Sequence, residues 1–329
     1  MSEQFQAYQI GKNDDGQRCT LTQLDDSDLM EGDVTVRVEY TTLNYKDGLA
    51  MTGRSPVVRK FPLTPGVDFS GTVIASEHAD FKQGDPVILN GFGVGESHSG
   101  GYAQKARVSG DWLVPVPAGL DTRHAMAIGT AGYTAMLSVM ALEDHGIKPD
   151  HGDILVTGAS GGVGSVAVAI LSKLGYRVVA TTGRMKEKDF LLGLGAADVL
   201  DRADFAEKAR PLGKELWSGA IDVAGGNTLA NVLSQLKYGG AAAICGLAES
   251  MSLPTTVAPF ILRGISVYGI DSVMASIAKR KIAWARLAAD LDLNLLDDLS
   301  FDLAFADLPQ AAEDILDGKI RGRAVVKLP

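Results

Sequence analysis

One short stretch limits what this chain can become more than any other. Residues 153–168 read DILVTGASGGVGSVAV. A hydrophobic run enters a turn of Gly158, Ala159, Ser160, Gly161, Gly162, Val163 and Gly164, and a run of small residues follows. The turn is the dinucleotide fingerprint G-x-G-x-x-G with Ala159 in place of the first glycine, then Gly161 and Gly164 in register. The fingerprint serves a tight turn, a backbone bare enough to approach a pyrophosphate, and close packing of helix on strand. The helix start offers unpaired N–H groups and the positive end of a dipole to phosphate. Ala167 and Ala169 keep the helix thin against a sheet. A glycine cluster alone also reads as a flexible turn, so the assignment depends on its neighbours.

Those neighbours alternate. After a long apolar helix over 124–142 come a strand at DILVTG, a helix over 162–174, a strand at YRVVAT and a helix over 186–193. Strands at ADVL, GAIDVA and GAAAICG follow, with a helix over 227–236 before the last of them. Short Val/Ile/Ala-rich strands spaced by helices predict βαβ units and a parallel sheet covered on both faces. The first third differs. DVTVRVEY, SGTVIAS and DPVIL read as strands, and Val34, Val36 and Val38 share one face of the first. Glycine- and proline-rich turns separate them, as in a barrel-like β domain. The expected organisation is α/β: a β-rich domain over 1–123, a Rossmann doubly wound parallel sheet over 124–271, and a return segment over 272–329. That segment holds a helix around IAKRKIAWARLAADL and a last strand at GRAVVKL.

Composition narrows the function classes. The formal net charge is −9, which disfavours a general nucleic-acid or anionic-membrane role. Two cysteines, Cys19 and Cys245, supply neither a disulfide framework nor a zinc motif and fit a reducing compartment. No apolar segment marks the N-terminus as a signal peptide, and no stretch is expected to reach the apolar length of a membrane helix. The expectation is a cytoplasmic enzyme.

The stretch after the second strand of the alternating region, VVATTGRMKEK (178–188), is informative for what it lacks. Chains that prefer NAD carry an acid there, which accepts hydrogen bonds from the ribose 2′-OH. Here Thr182, Gly183 and Arg184 provide a hydroxyl, an unobstructed backbone N–H and a guanidinium able to grip a 2′-phosphate. Lys186 reads as a solvated charge at a helix start. Arg202, in VLDRAD, either closes over the adenine side or is a surface arginine. The expected cofactor is NADPH rather than NADH.

The motifs TLNYKDGLAMTG, PGVDFSG, GGYAQKARV, GTAGYTA, TGASGGVGSVA and GRAVVKL together resemble the medium-chain dehydrogenase/reductase superfamily over essentially the whole length. The resemblance is to its zinc-independent, quinone-oxidoreductase-like branch. ILNGFGVGE, IGTAGYTAM and LPTTVAPFILRGISVYGIDSVM are similar to the acrylyl-CoA reductases within it. This implies a GroES-like catalytic domain beside the Rossmann domain, an active site in the cleft between them, and NADPH-dependent reduction of acryloyl-CoA to propanoyl-CoA. The substrate expected is a short-chain enoyl-CoA. Reduction of quinones or free enones is the alternative, and a non-catalytic NADPH-binding protein a remoter one.

Where zinc enzymes of the superfamily place metal ligands, this chain has Asn44, and Val67 precedes Asp68 in PGVDFSG. One carboxylate does not make a zinc site, and His78, His98, His124, His145 and His151 are scattered. A metal-free site suits conjugate reduction. Tyr45 either donates to an enolate oxygen or stacks on the nicotinamide; Asn44 offers an amide donor; Lys46 and Asp47 form an ion pair or begin a helix. By resemblance, Thr130 and Ser272 meet the nicotinamide end. Gly246 and Leu247 follow a strand's C-terminal end, where ligands dock in such sheets. Arg323, in RGRAVV, either reaches the cofactor phosphates or is an exposed arginine. Cys245 reads as a buried small residue rather than a nucleophile. Arg59, Lys60, Lys105, Arg107, Arg280 and Lys281 are the cations available to the phosphates of a CoA ester. GISVYGID (264–271) is expected at a sheet edge, where pairing across a two-fold axis would give a homodimer.

Overall fold

The computed structural model describes residues 4–14 and 16–329. The chain divides into two compact units: residues 1–130, 272–288 and 296–329 form the first, and residues 131–271 and 289–295 the second.

The second unit is built on a parallel sheet. Its described strands run in the order Asp198–Asp201, Val178–Thr182, Ile154–Val156, Trp217–Asp222, Leu236–Ile244, Ser266–Gly269. The order doubles back between Ile154–Val156 and Trp217–Asp222, so a crevice opens at the C-terminal ends of those two strands. Strand Val178–Thr182 and helix Gly162–Lys173 are buried over nearly their whole length, as expected of elements packed on both sides. Strand Ser266–Gly269 lies at the sheet edge. The helix expected over 186–193 begins as a 3₁₀ turn, Met185–Glu187, and continues as Lys188–Gly193.

The first unit is mainly antiparallel. Strands Val34–Thr42, Asp68–Ser76 and Pro86–Asn90 pair in succession. Arg323–Lys327 joins the other side of Val34–Thr42, which carries the return segment into the same sheet. Alternation is kept: Val34, Val36 and Val38 are buried in a core with Phe69, Tyr102, Phe305 and Leu308, while Arg37 points outward. The hairpin Phe5–Asn13 and Gly16–Leu24 and the helix Leu308–Leu316 lie outside the elements read from the sequence.

Two expectations about the apolar helix need correction. Thr122–His145 is long and apolar enough to cross a membrane by length and composition, with a mean hydropathy of 1.5 over its best window. That window is 89% buried in the protein, the pattern of a core helix. Nor is the segment one continuous helix. The backbone leaves helical geometry at Gly129, with φ 52° and ψ −161°, a region open almost only to glycine.

Candidate active site

In the second unit, the predicted phosphate turn has the geometry its sequence requires. Ala159 N donates to Thr181 O at 2.9 Å, joining the turn to the neighbouring strand, and Gly161 N donates to Gly158 O at 3.0 Å. Helix Gly162–Lys173 follows, so the N–H groups of Gly162, Val163 and Gly164 have no acceptor within it. A Cβ on Gly164 would lie 2.6 Å from the Gly158 carbonyl oxygen, so the third glycine of the fingerprint permits the helix to approach the turn.

The basic stretch converges on this turn. Ser160 Oγ lies 3.1 Å from Thr182 Oγ1, and Arg184 N donates to that same Thr182 oxygen at 3.1 Å. Arg184 Nη2 reaches back to Ser160 Oγ at 3.1 Å. The Arg202 guanidinium lies against Gly183, where a Cβ would meet its carbon at 3.0 Å. Five residues from three chain segments thus surround one spot at the strand ends, with two guanidinium groups and two hydroxyls. Lys186 is exposed. Leu247 is 51% exposed on the loop after Leu236–Ile244. Asp222 is buried at the opposite lip, accepting from Thr157 Oγ1 at 2.7 Å and Gly225 N at 2.8 Å, which fixes the turn there. Burial pushes the Cys245 thiol up to about 12, so it stays protonated and unreactive.

The first unit holds a different arrangement. Asn44 caps helix Tyr45–Thr52, with its N–H donating to Asp47 Oδ2 at 2.9 Å. The Asn44 amide Nδ2 donates to Thr42 Oγ1, Asp68 Oδ2 and Asp47 Oδ2 at 2.9, 3.0 and 3.1 Å. Its Oδ1 accepts from Arg323 Nη1 at 3.3 Å, and Arg323 Nε donates to Ala127 O at 3.0 Å. Asp68 also accepts from Thr42 Oγ1 at 2.8 Å and from Thr130 N at 2.7 Å. The break at Gly129 makes this last bond: it turns Thr130 N toward the carboxylate, and a Cβ there would collide with Arg323 Nη2.

Electrostatics follow from this burial. Asp47 and Asp68 are both fully buried. Burial first, and then the negative Asp68, raise the Asp47 carboxyl to about 7 against the hydrogen bonds from Asn44 and Val67. Burial also raises the Tyr102 phenol well above its usual value, helped by Asp47 and Asp68. Burial lowers Arg323, and Asp68 and Asp47 oppose that. An arginine nevertheless keeps its charge in proteins, so a guanidinium and two carboxylates share a dry pocket.

Several expectations are corrected here. Arg323 is 2% exposed and bonded inward, so it neither reaches a phosphate nor lies on the surface. The Asn44 amide hydrogens already face a hydroxyl and two carboxylates, so Asn44 orients its neighbours rather than offering a donor outward. Lys46 pairs with Glu96 at 2.8 Å, not with Asp47. Arg280 is 1% exposed and bonded to backbone carbonyls, which removes it from the cations open to a CoA ester. Tyr45 remains available at 41% exposure. Thr130 and Ser272 are half-buried in the first unit. Sequence reasoning missed Thr42, Asn90 and the partnership of Asp47 with Asp68. Only the spacing of Asn44 and Asp47, that of an N-cap and its third helical residue, offered a signal.

A GroES-like alcohol dehydrogenase domain matches residues 30–118, and a zinc-binding dehydrogenase domain matches residues 162–289. The residues here do not fit a zinc ion. The Asp68 oxygens are occupied by donors, a guanidinium supplies the cation, and among the described residues no three of His, Cys, Asp or Glu gather to ligate one. The acrylyl-CoA reductase AcuI of Ruegeria pomeroyi is 52% identical over 98% of this chain and 98% of its own. The structure of Escherichia coli K-12 YhdH with bound NADPH is 52% identical, covers 98% of this chain and 100% of that one, and superposes with a TM-score of 0.97. Bacillus subtilis YhfP, solved with NAD bound, is 44% identical over 99% of this chain and 100% of that one, with a TM-score of 0.95. The chain belongs to the medium-chain dehydrogenase/reductase superfamily, in the group that includes the acrylyl-CoA reductases and quinone-oxidoreductase-like proteins.

Proposed function

We propose that this protein is an NADPH-dependent acrylyl-CoA reductase. The observation that carries the cofactor reading is the meeting of Ser160, Thr182, Gly183, Arg184 and Arg202 at the end of the phosphate turn. Two guanidinium groups and no carboxylate among these five suit a 2′-phosphate and not a bare ribose hydroxyl pair. The turn from Ala159 to Gly164 cradles the pyrophosphate, and Leu247 lies along the cofactor. Thr130, Ser272 and the Tyr45 ring serve the nicotinamide end. Identity of 52% over nearly the full length to an acrylyl-CoA reductase supports the substrate class.

NADPH held there supplies a hydride for the β-carbon of the enoyl thioester. With that hydride's two electrons on the substrate and a proton added at the α-carbon, the double bond would become a single bond and the cofactor would be left as NADP⁺. The chain's own residues set the geometry for this. The buried network orders helix Tyr45–Thr52 through its cap, so Tyr45 is presented outward from a fixed first turn. The Asp68 bond to Thr130 N fixes where that hydroxyl begins. Positioning of this kind is the main contribution required when hydride and acceptor must meet in line.

A substrate panel with NADPH tests the reading. Turnover of acryloyl-CoA well above crotonyl-CoA and a quinone supports it; preference for the quinone favours the alternative. The edge strand Ser266–Gly269 supports a homodimer formed by pairing two such edges. A monomer mass by light scattering at micromolar concentration refutes that assembly. The enzyme is expected in the cytoplasm, which fractionation tests.

A further inference from the structure

We propose that Arg280 and Asn90 are positioning residues for the nicotinamide end of the site, Arg280 by holding the Ser272 segment and Asn90 by directing the Thr130 hydroxyl. This rests on the reading of Thr130 and Ser272 as nicotinamide-end residues.

Arg280 lies in helix Ile277–Asp290 and turns its guanidinium into the protein. A charge out of water is costly unless its donors are satisfied. Nη1 donates to Asn90 O at 2.6 Å, Nη2 to Val273 O at 2.7 Å and Ser272 O at 3.0 Å, and Nε to Ala275 O at 2.9 Å. Residues 272–275 belong to neither helix nor strand, so their carbonyls have no ladder to join. The fixed fork of a guanidinium ties this irregular segment to the end of strand Pro86–Asn90. A lysine, with one nitrogen, cannot span the same set.

A strained residue marks the same place. Phe92 has φ 53°, a left-handed conformation unusual for a bulky side chain. It is held there by Phe92 N donating to Val273 O at 2.9 Å and by the Arg280 guanidinium 4.2 Å above its ring. Trp112 stacks at 5.9 Å from the same ring. Strain of this sort persists only where the surroundings over-determine a conformation, and it clusters at ligand sites.

Asn90 connects the clamp to Thr130. Its Oδ1 accepts from Trp284 Nε1 at 3.2 Å, which settles the direction of the amide, so Nδ2 faces Thr130 Oγ1 at 3.3 Å. A hydroxyl that accepts from Asn90 directs its own hydrogen elsewhere, as a donor. Arg280 and Asn90 therefore control the position of one nicotinamide-end residue and the hydrogen-bonding sense of another, without touching the cofactor themselves.

The test compares Asn90→Leu and Arg280→Lys with the unaltered protein, by calorimetric titration with NADPH and with 2′,5′-ADP, which carries only the adenosine end. Each variant should weaken NADPH binding roughly 3- to 10-fold, the size of a lost hydrogen bond, and leave 2′,5′-ADP unchanged. Single-turnover hydride transfer should slow in both. Equal weakening of the two ligands, or no weakening of either, overturns the proposal. If Arg280→Lys does not fold, Asn90→Leu decides alone. Unaltered protein that binds 2′,5′-ADP but gains nothing from the nicotinamide half also overturns it; unaltered protein that binds neither ligand fails the cofactor reading first and takes this proposal with it.

Discussion

In the second unit, Ser160, Thr182 and Arg184 meet beside an exposed Arg202 and a helix start. In the first, Asn44, Asp47, Asp68 and Arg323 meet out of water. Both clusters pair cationic and polar groups, yet they obey different physics. The first-named set has Ser160 and Thr182 buried at its base but Gly183 and Arg202 exposed at its rim, where a guanidinium stays hydrated and can meet an anion. The second set is sealed, and every charge in it must be answered from within. Charge in the open selects a ligand, whereas charge in the dry core fixes a shape.

The largest effect should come from breaking the dry cluster. Above about pH 7, where Asp47 as well as Asp68 is ionised, Arg323→Met leaves both carboxylates without their countercharge and should cost about 3–5 kcal/mol in urea unfolding. Adding Asp47→Asn to that variant should restore much of the loss, because one charge then has none to oppose. A double variant no better than the single would show that the cluster is held by shape and not by charge balance.

Next in size is a pH effect with a definite sign. The Asp47 carboxyl is raised from 3.8 to about 7, so the folded chain keeps a proton that the unfolded chain releases. The stability Asp47 contributes is therefore full below about pH 4 and is lost as pH rises toward 7, with a slope of at most about 1.4 kcal/mol per pH unit. Asp47→Asn should flatten that part of the stability curve. An unchanged slope would place the proton elsewhere in the cluster.

The open cluster should respond in binding and not in stability. Arg184→Ala should raise the KM for NADPH about 10- to 100-fold, the worth of one or two charge-assisted bonds, with little change in kcat or in use of NADH. A clear preference of the unaltered enzyme for NADH in kcat/KM would remove the 2′-phosphate reading. The smallest effect is expected at Tyr45, where Tyr45→Phe keeps the ring and deletes the hydroxyl. An unchanged kcat would leave stacking as its role, and a fall of 100-fold or so, as for a lost general acid, would make the phenol the proton donor.

The alternating strands and helices of the second unit were legible because their signals are local. A fingerprint such as the one ending at Gly164, with Thr182, Gly183 and Arg184 some twenty residues on, is read along the chain in order. The segment around Gly129 reads in sequence as one continuous helix, because a glycine within an apolar run does not announce that its φ is positive. Arg280 and Arg323 read in sequence as available cations for a related reason: a charged residue in sequence carries no sign of its burial.

By itself, then, the order of residues determined the parallel-sheet unit, the phosphate turn and the basic character of the spot beside it, since each depends on contacts between near neighbours in sequence. Only the tertiary structure decided that Asn44, Asp68 and Arg323 share one pocket, and that Asn90 and Arg280 tie residues 272–275 down. Those partners lie up to 279 positions apart. Their meeting depends on a strand from the end of the chain joining the sheet built near its beginning, and no local pattern records that pairing.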